Sequence, residues 1–245
     1  MENLPLERLI NENFIYAKVL HYFGVEYYES RNKTLSEICE EYKLDQSDVI
    51  EMIEKGVNGN EAQVLDLKGL PTSLIIAYLK HSHQLFIKDR LPYILKLVGQ
   101  LTCDKEEGLI QDLQVILPMF VDDFIHHIFE EEDKLFSYIM LLDGFVKGQM
   151  PAAKIASKVD DFSIQEFSLH HGESDDEMKG IRGITNGYQL DAMTDLKQKV
   201  VYQALASFDQ ELTKHAEIEN EVFFPRALLL EKQAINKLSA GLGLN

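Results

Sequence analysis

Two pairs of residues in this sequence have the types and the spacing to hold metal ions: His127 with Glu131, and His215 with Glu219. A separation of four sets each imidazole one turn before its carboxylate on the same side of a helix. The residues around them say which side that is. Leu113, Leu117, Phe120, Phe124, His127, Glu131 and Leu135 follow one another in steps of three and four, as do Val201, Leu205, Phe208, Leu212, His215, Glu219 and Val222. Both pairs thus continue apolar stripes that face a core. Two more stripes carry a single histidine each: Ile76, Leu79, His83, Ile87, and Ile164, Phe167, His171, Met178.

One core-facing histidine is ordinarily a hydrogen-bonded core residue. Two His–Glu pairs with two further inward histidines are harder to house that way. Each buried carboxylate is costly, and two at one level of a core repel each other. A pair of cations removes both problems. Imidazole nitrogen and carboxylate oxygen suit iron and manganese and also accept zinc. Carboxylates can bridge two ions, and helical-bundle cores house such sites. The expected ligands are His83, His127, Glu131, His171, His215 and Glu219, with both glutamates bridging. Each ion then receives two imidazoles and two carboxylate oxygens. Positions stay open for an oxo or hydroxo bridge and for a small ligand such as dioxygen or nitric oxide. No separate general acid or base is expected. His81, His126 and His170 fall about 100 to 200° round their helices from the stripes and are expected to be exposed or to support the ligands from behind, not to be ligands. Asp123, one turn before His127, is a candidate to accept its second ring N–H.

Positioning six such residues takes four long helices, and the periodicity draws them over 72–99, 107–146, 157–185 and 193–238. Connections fall near Cys103, from Gly148 to Pro151, and at Asn186–Gly187. The expected fold is all-α, an up-down four-helix bundle. Shorter amphipathic patterns precede it over 6–21, 34–42 and 46–55. Thr34 with Glu37 reads as a capping box, and Asp45 or Ser47 as the cap of the next helix. Gly56-Val57-Asn58-Gly59-Asn60 reads as a turn-rich linker. The expected domains are therefore a small helical one over 1–58 and the bundle over 59–245.

The formal net charge of -17 argues against nucleic acid and anionic membrane surfaces as partners. No apolar run reaches the roughly 20 residues that cross a bilayer, and the first residues do not resemble a secretory signal. A cytoplasmic location is expected. The two cysteines, Cys39 and Cys103, form no CxxC, which excludes a thiolate zinc site.

These residues resemble a known family. His127-Ile-Phe-Glu-Glu131-Glu-Asp-Lys-Leu-Phe is similar to the HxxxEE-LF signature of hemerythrin-like (HHE) domains. His215-Ala-Glu-Ile-Glu219-Asn-Glu-Val-Phe-Phe-Pro-Arg-Ala is similar to their closing HxxxEN-LFPRA segment. His170-His171 with Ile181-Arg182-Gly-Ile-Thr-Asn resembles the third-helix stretch, and His83 with Arg90-Leu-Pro92 the first. The order looks most like the di-iron proteins that repair iron–sulfur clusters (the RIC family). The resemblance implies two non-haem, carboxylate-bridged irons on the six residues named above. It also admits a homodimer formed through the small domain. Thr34-Leu-Ser-Glu-Ile-Cys-Glu-Glu fits that domain too. The family's Cys-Cys pair, however, is replaced here by Tyr28 and Glu29, within Gly24-Val-Glu-Tyr-Tyr28-Glu29-Ser-Arg31.

The function the resemblance implies is stress-responsive support of iron–sulfur cluster repair after oxidative or nitrosative damage, by iron donation or nitric oxide processing. Damaged iron–sulfur proteins would be the partners. The alternative is a module that reversibly binds or senses dioxygen or nitric oxide, with the small domain as a docking surface. A metal-free scaffold is the third reading, and two buried glutamates count against it.

Overall fold

A computed structural model describes residues 4–13, 15–26, 29–58, 67–102, 107–173, 176–190 and 196–241. Among these residues the chain is helical throughout its regular structure, apart from an isolated antiparallel bridge between Pro5 and Thr34. It is an all-α bundle fold. None of its helices among the described residues is long and apolar enough to cross a membrane. Two compact units divide the chain, Met1–Ser82 and His83–Asn245. The boundary expected near residue 58 adjoins 59–66, which lie outside the described residues.

The first unit contains α1 (Leu6–Glu12), α2 (Ile15–Tyr22), α3 (Leu35–Glu41), α4 (Gln46–Asn58) and most of α5 (Thr72–Leu85). The single helix expected over 6–21 is broken at Asn13. That residue is extended (φ -156°, ψ 116°) and its N–H closes α1 on the Leu9 carbonyl. The capping box of α3 forms as expected. The Glu37 N–H donates to Thr34 Oγ1 at 3.3 Å, and the Thr34 N–H to Glu37 Oε2 at 2.7 Å. Asp45, not Ser47, caps α4, accepting from the N–H groups of Ser47 (2.9 Å) and Asp48 (3.2 Å). That well-capped helix continues through Gly56, Val57 and Asn58, which were expected in the linker. Gly59 and Asn60 lie outside the described residues. Its interior is apolar, with Leu6, Leu9, Leu20, Leu35, Ile38 and Val49 at 1% exposure or less.

The second unit is built on long helical rods. The chain leaves α5 through a π-helical turn (Phe86–Arg90) into α6 (Leu91–Gly99). Next, α7 (Glu107–Glu130) passes through Glu131–Phe136 into α8 (Ser137–Val146), and α12 (Leu196–Ile218) through Glu219–Phe223 into α13 (Phe224–Gly241). Between them run α9 (Ala152–Asp161), α10 (Ile164–Glu173) and α11 (Lys179–Ile184). The continuous helix expected over 157–185 is thus interrupted. Ser163 accounts for the first break: its hydroxyl accepts from the Glu166 N–H at 3.3 Å and starts a new helix, α10. Glu231 joins there, accepting from the Ile164 N–H and the Tyr138 hydroxyl.

Helix α6 packs on α7 and α12, and α11 on α7, whereas α8, α9 and α10 pack on α13. Successive rods therefore run in opposite directions. One end of the bundle is filled by Phe86, Leu91, Leu113, Leu117, Phe124 and Phe208. Phe136, Ile139, Leu142, Phe223 and Ala227 are among those filling the other. His215, Glu219 and Glu131 come where the chain passes from one end to the other.

Candidate metal centre

The π turns explain how charged side chains reach the core without breaking the rods. In two of them an N–H bonds five residues back, Leu91 to the Phe86 carbonyl and Phe224 to that of Glu219. Each such turn adds a residue and shifts the helix face by about 100°. Seven residues after His83 comes Arg90, and seven after Glu219 comes Arg226, but the buried residues are Leu91 and Ala227. The apolar face resumes one residue late. Pro92 and Pro225 follow these turns, and proline disfavours the α-type bond at its own position. Pro118 sits in plain α-helix, so proline alone does not dictate the wider turn. The third π turn begins at Glu131.

Four side chains converge at this level: His83, Glu131, His215 and Glu219. One ligand atom from each lies within 4.8 Å of all the others. His83 Nε2 is 3.0 Å from His215 Nε2 and 3.4 Å from Glu131 Oε2, and His215 Nε2 is 3.2 Å from Glu219 Oε1. Their exposures are 1%, 1%, 8% and 2%. Aromatic rings wall the group. Phe136 stacks on the His83 imidazole at 5.8 Å, and Phe86 meets His215 edge-on at 5.5 Å. A cavity of about 60 Å³ opens from the group, past His127 and Glu177.

The donor set fits a cation better than it fits protons. Protonating both imidazoles at Nε2 would point two N–H groups at each other across 3.0 Å. Protons on both Nε2 atoms therefore cannot be what balances the two carboxylates. A divalent ion can, and it uses the nitrogen lone pairs as well. Glu132 prepares one of them. Its Oε1 lies 3.0 Å from His83 Nδ1, a partner for an N–H on Nδ1, and in that neutral tautomer Nε2 presents its lone pair to the group.

The expected ligands are placed as follows. His83, Glu131, His215 and Glu219 come together. His127 is half-buried, with Nε2 3.5 Å from Glu131 Oε1. His171 belongs to α10, but its side chain, like that of His170, lies outside the described residues. His126 is exposed. His81 is half-buried in the first unit, edge-on to His21 and against Gly24, where a Cβ at φ +75° would lie 2.6 Å from its Nδ1. Burial, and then His21, lower its pKa. Asp123 is exposed; Glu177 Oε1 lies 3.7 Å from His127 Nε2, the same nitrogen that faces Glu131. The sequence reading missed Glu132 and Glu177. Glu132 carried a signal, since it directly follows Glu131 on the helix. Glu177 carried none, because its reach depends on the turn that holds it.

Compared with proteins of known function, the chain is 23% identical over 147 residues to the probable iron-sulfur cluster repair protein of Haemophilus influenzae. The match covers 58% of this chain and 58% of that protein's length. No family model matches the chain. The likeness supports a distant relationship to iron–sulfur cluster repair proteins.

Proposed function

We propose that this chain is a non-haem di-iron protein that supports the repair of iron–sulfur clusters damaged by oxidative or nitrosative stress. The observation that carries the reading is the buried group of His83, Glu131, His215 and Glu219 inside the bundle. The likeness to a probable repair protein adds to it. Iron bound there would supply one-electron chemistry and open positions for a small diatomic, or would be the cargo given to a damaged cluster. The chain's own residues do the rest. Glu131 and Glu219 bring the negative charge that favours a cation, and His83 and His215 offer neutral nitrogens. Glu132 orients the His83 ring. Phe136 and Phe86 limit water around the imidazoles, which strengthens electrostatic attraction within the group. His127 and Glu177 stand on the more exposed side, where an ion or a diatomic would enter. In this reading the protein works in the cytoplasm on damaged iron–sulfur proteins.

A second reading, reversible binding or sensing of dioxygen or nitric oxide, is favoured by the chain's thiol content. Glu29 takes one of the family's cysteine positions and is exposed, while Tyr28, at the other, lies outside the described residues. Cys39 is buried in α3, and burial, with a smaller push from Asp45, raises its pKa to about 11. It stays a protonated thiol at neutral pH and is a poor nucleophile.

The discriminating experiment adds iron-loaded protein to an iron–sulfur enzyme inactivated by nitric oxide or peroxide and follows the return of its activity. Recovery with the wild type and none with Glu131→Ala is the result expected of repair. No recovery, with a reversible change of the visible spectrum under nitric oxide, would transfer the case to the second reading.

A further inference from the structure

The cavity beside the buried group runs outward to Asp176, Arg182 and Thr213. At its inner end the side chains of His83 and Glu131 are 1% exposed, whereas those of Arg182 and Asp176 are 38% and 48% exposed. Among the described residues that line it, Arg182 is the one lysine or arginine. It stands on α11 and joins two other parts of the cavity wall. Its guanidinium pairs with Asp176, just before α11, and its Nε lies 2.9 Å from Asp209 Oδ2 on α12. The Tyr188 hydroxyl donates to the same Asp209 oxygen at 2.9 Å. Burial, and then that bond, raise the pKa of Tyr188, so the hydroxyl keeps its proton. Asp209 thus holds Arg182 in place from α12.

A guanidinium so held is a fixed positive charge, since arginine does not lose its proton in a protein. Asp176, Glu177 and Asp209 line the same cavity and draw cations towards its mouth. Arg182 already sits between two of these three carboxylates. An entering ion must therefore displace the guanidinium or pass against its charge. A divalent ion is repelled twice as strongly as a monovalent one, and a neutral diatomic hardly at all. The side chain can swing into solvent without moving α11, because Met178 and Ile181, each 1% exposed, anchor that segment in the core.

Resting on the reading of the buried group as a metal centre, we infer that Arg182 is a charge gate on its cavity, slowing metal ions in both directions while neutral diatomics pass. Arg182 is the specificity-determining residue of this path, and Asp209 and Tyr188 position it. The gate lets the centre keep its metal while it meets small neutral ligands.

The test compares the full-length wild type with Arg182→Gln, which removes the charge at similar size, and Arg182→Lys, which keeps it. Stopped-flow absorption follows Co²⁺ uptake by the metal-free proteins and Co²⁺ loss to excess chelator. The same instrument follows nitric oxide binding to the ferrous-loaded proteins without oxygen. In Arg182→Gln, uptake and loss should both quicken by at least about tenfold, with nitric oxide binding at the wild-type rate. Arg182→Lys should stay near the wild type in all three. Faster loss with unchanged uptake and weaker Co²⁺ binding would make Arg182 a brace between α11 and α12, overturning the gate. Nitric oxide binding quickened as much as Co²⁺ uptake would replace charge by bulk and overturn it too, as would three unchanged rates. Each of these leaves the metal centre standing. No Co²⁺ uptake by the wild type would overturn both.

Discussion

The two units of this chain solve the problem of a core in opposite ways. Met1–Ser82 fills its interior with apolar residues, and Ser30 is its one buried polar residue among those described. His83–Asn245 places two histidines and two glutamates where apolar side chains would otherwise go. It also carries the three π turns found among the described residues. An apolar core needs only periodicity and caps, and short α-helices provide them. A charged interior needs compensation, and here it coincides with irregular helix geometry and a wall of phenylalanines. Where a fold accepts cost without local benefit, the benefit is in chemistry.

The sharpest break of this contrast is Glu131→Ala. It removes a residue that touches both sides of the site, and metal binding should fall by more than the roughly 10- to 100-fold typical of supporting residues. Metal analysis after gel filtration checks this. Metal removal comes next. If the ion binds only the folded state, its presence at a hundredfold excess over Kd adds about 2.7 kcal/mol. Amide exchange on the whole chain should show that gain in α7, α8, α12 and α13 and none in α1 to α4. Equal gains in both units would erase the distinction. Glu132→Gln is a smaller change and should weaken metal binding by about tenfold, measured by competition with a chelator. Thr34→Ala perturbs the other unit: losing the cap should cost about 1 kcal/mol in denaturant unfolding and leave metal affinity unchanged. His126→Ala, at an exposed position, should change neither quantity.

Much of the site was legible because its residues interrupt regular stripes. Val201 to Val222 and Leu113 to Leu135 each read as one face of a helix, and Glu131 and Glu219 are buried on those faces. The Thr34–Glu37 box was legible because capping is a local affair. Other features depend on competition that a single stripe does not reveal. Ser163 starts a new helix against a pattern that continues through it. Pro92 and Pro225 accompany π turns while Pro118 does not, so the outcome rests on packing. Glu132 and Glu177 act through partners 49 and 50 positions away, a relation that periodicity does not carry.

The most direct test of the account is the iron content and visible spectrum of protein loaded with ferrous iron in the absence of oxygen and then exposed to air. The account predicts about two irons per chain, with new charge-transfer absorption after exposure, and loss of both in Glu131→Ala. Absence of iron uptake by the correctly folded wild type would contradict it.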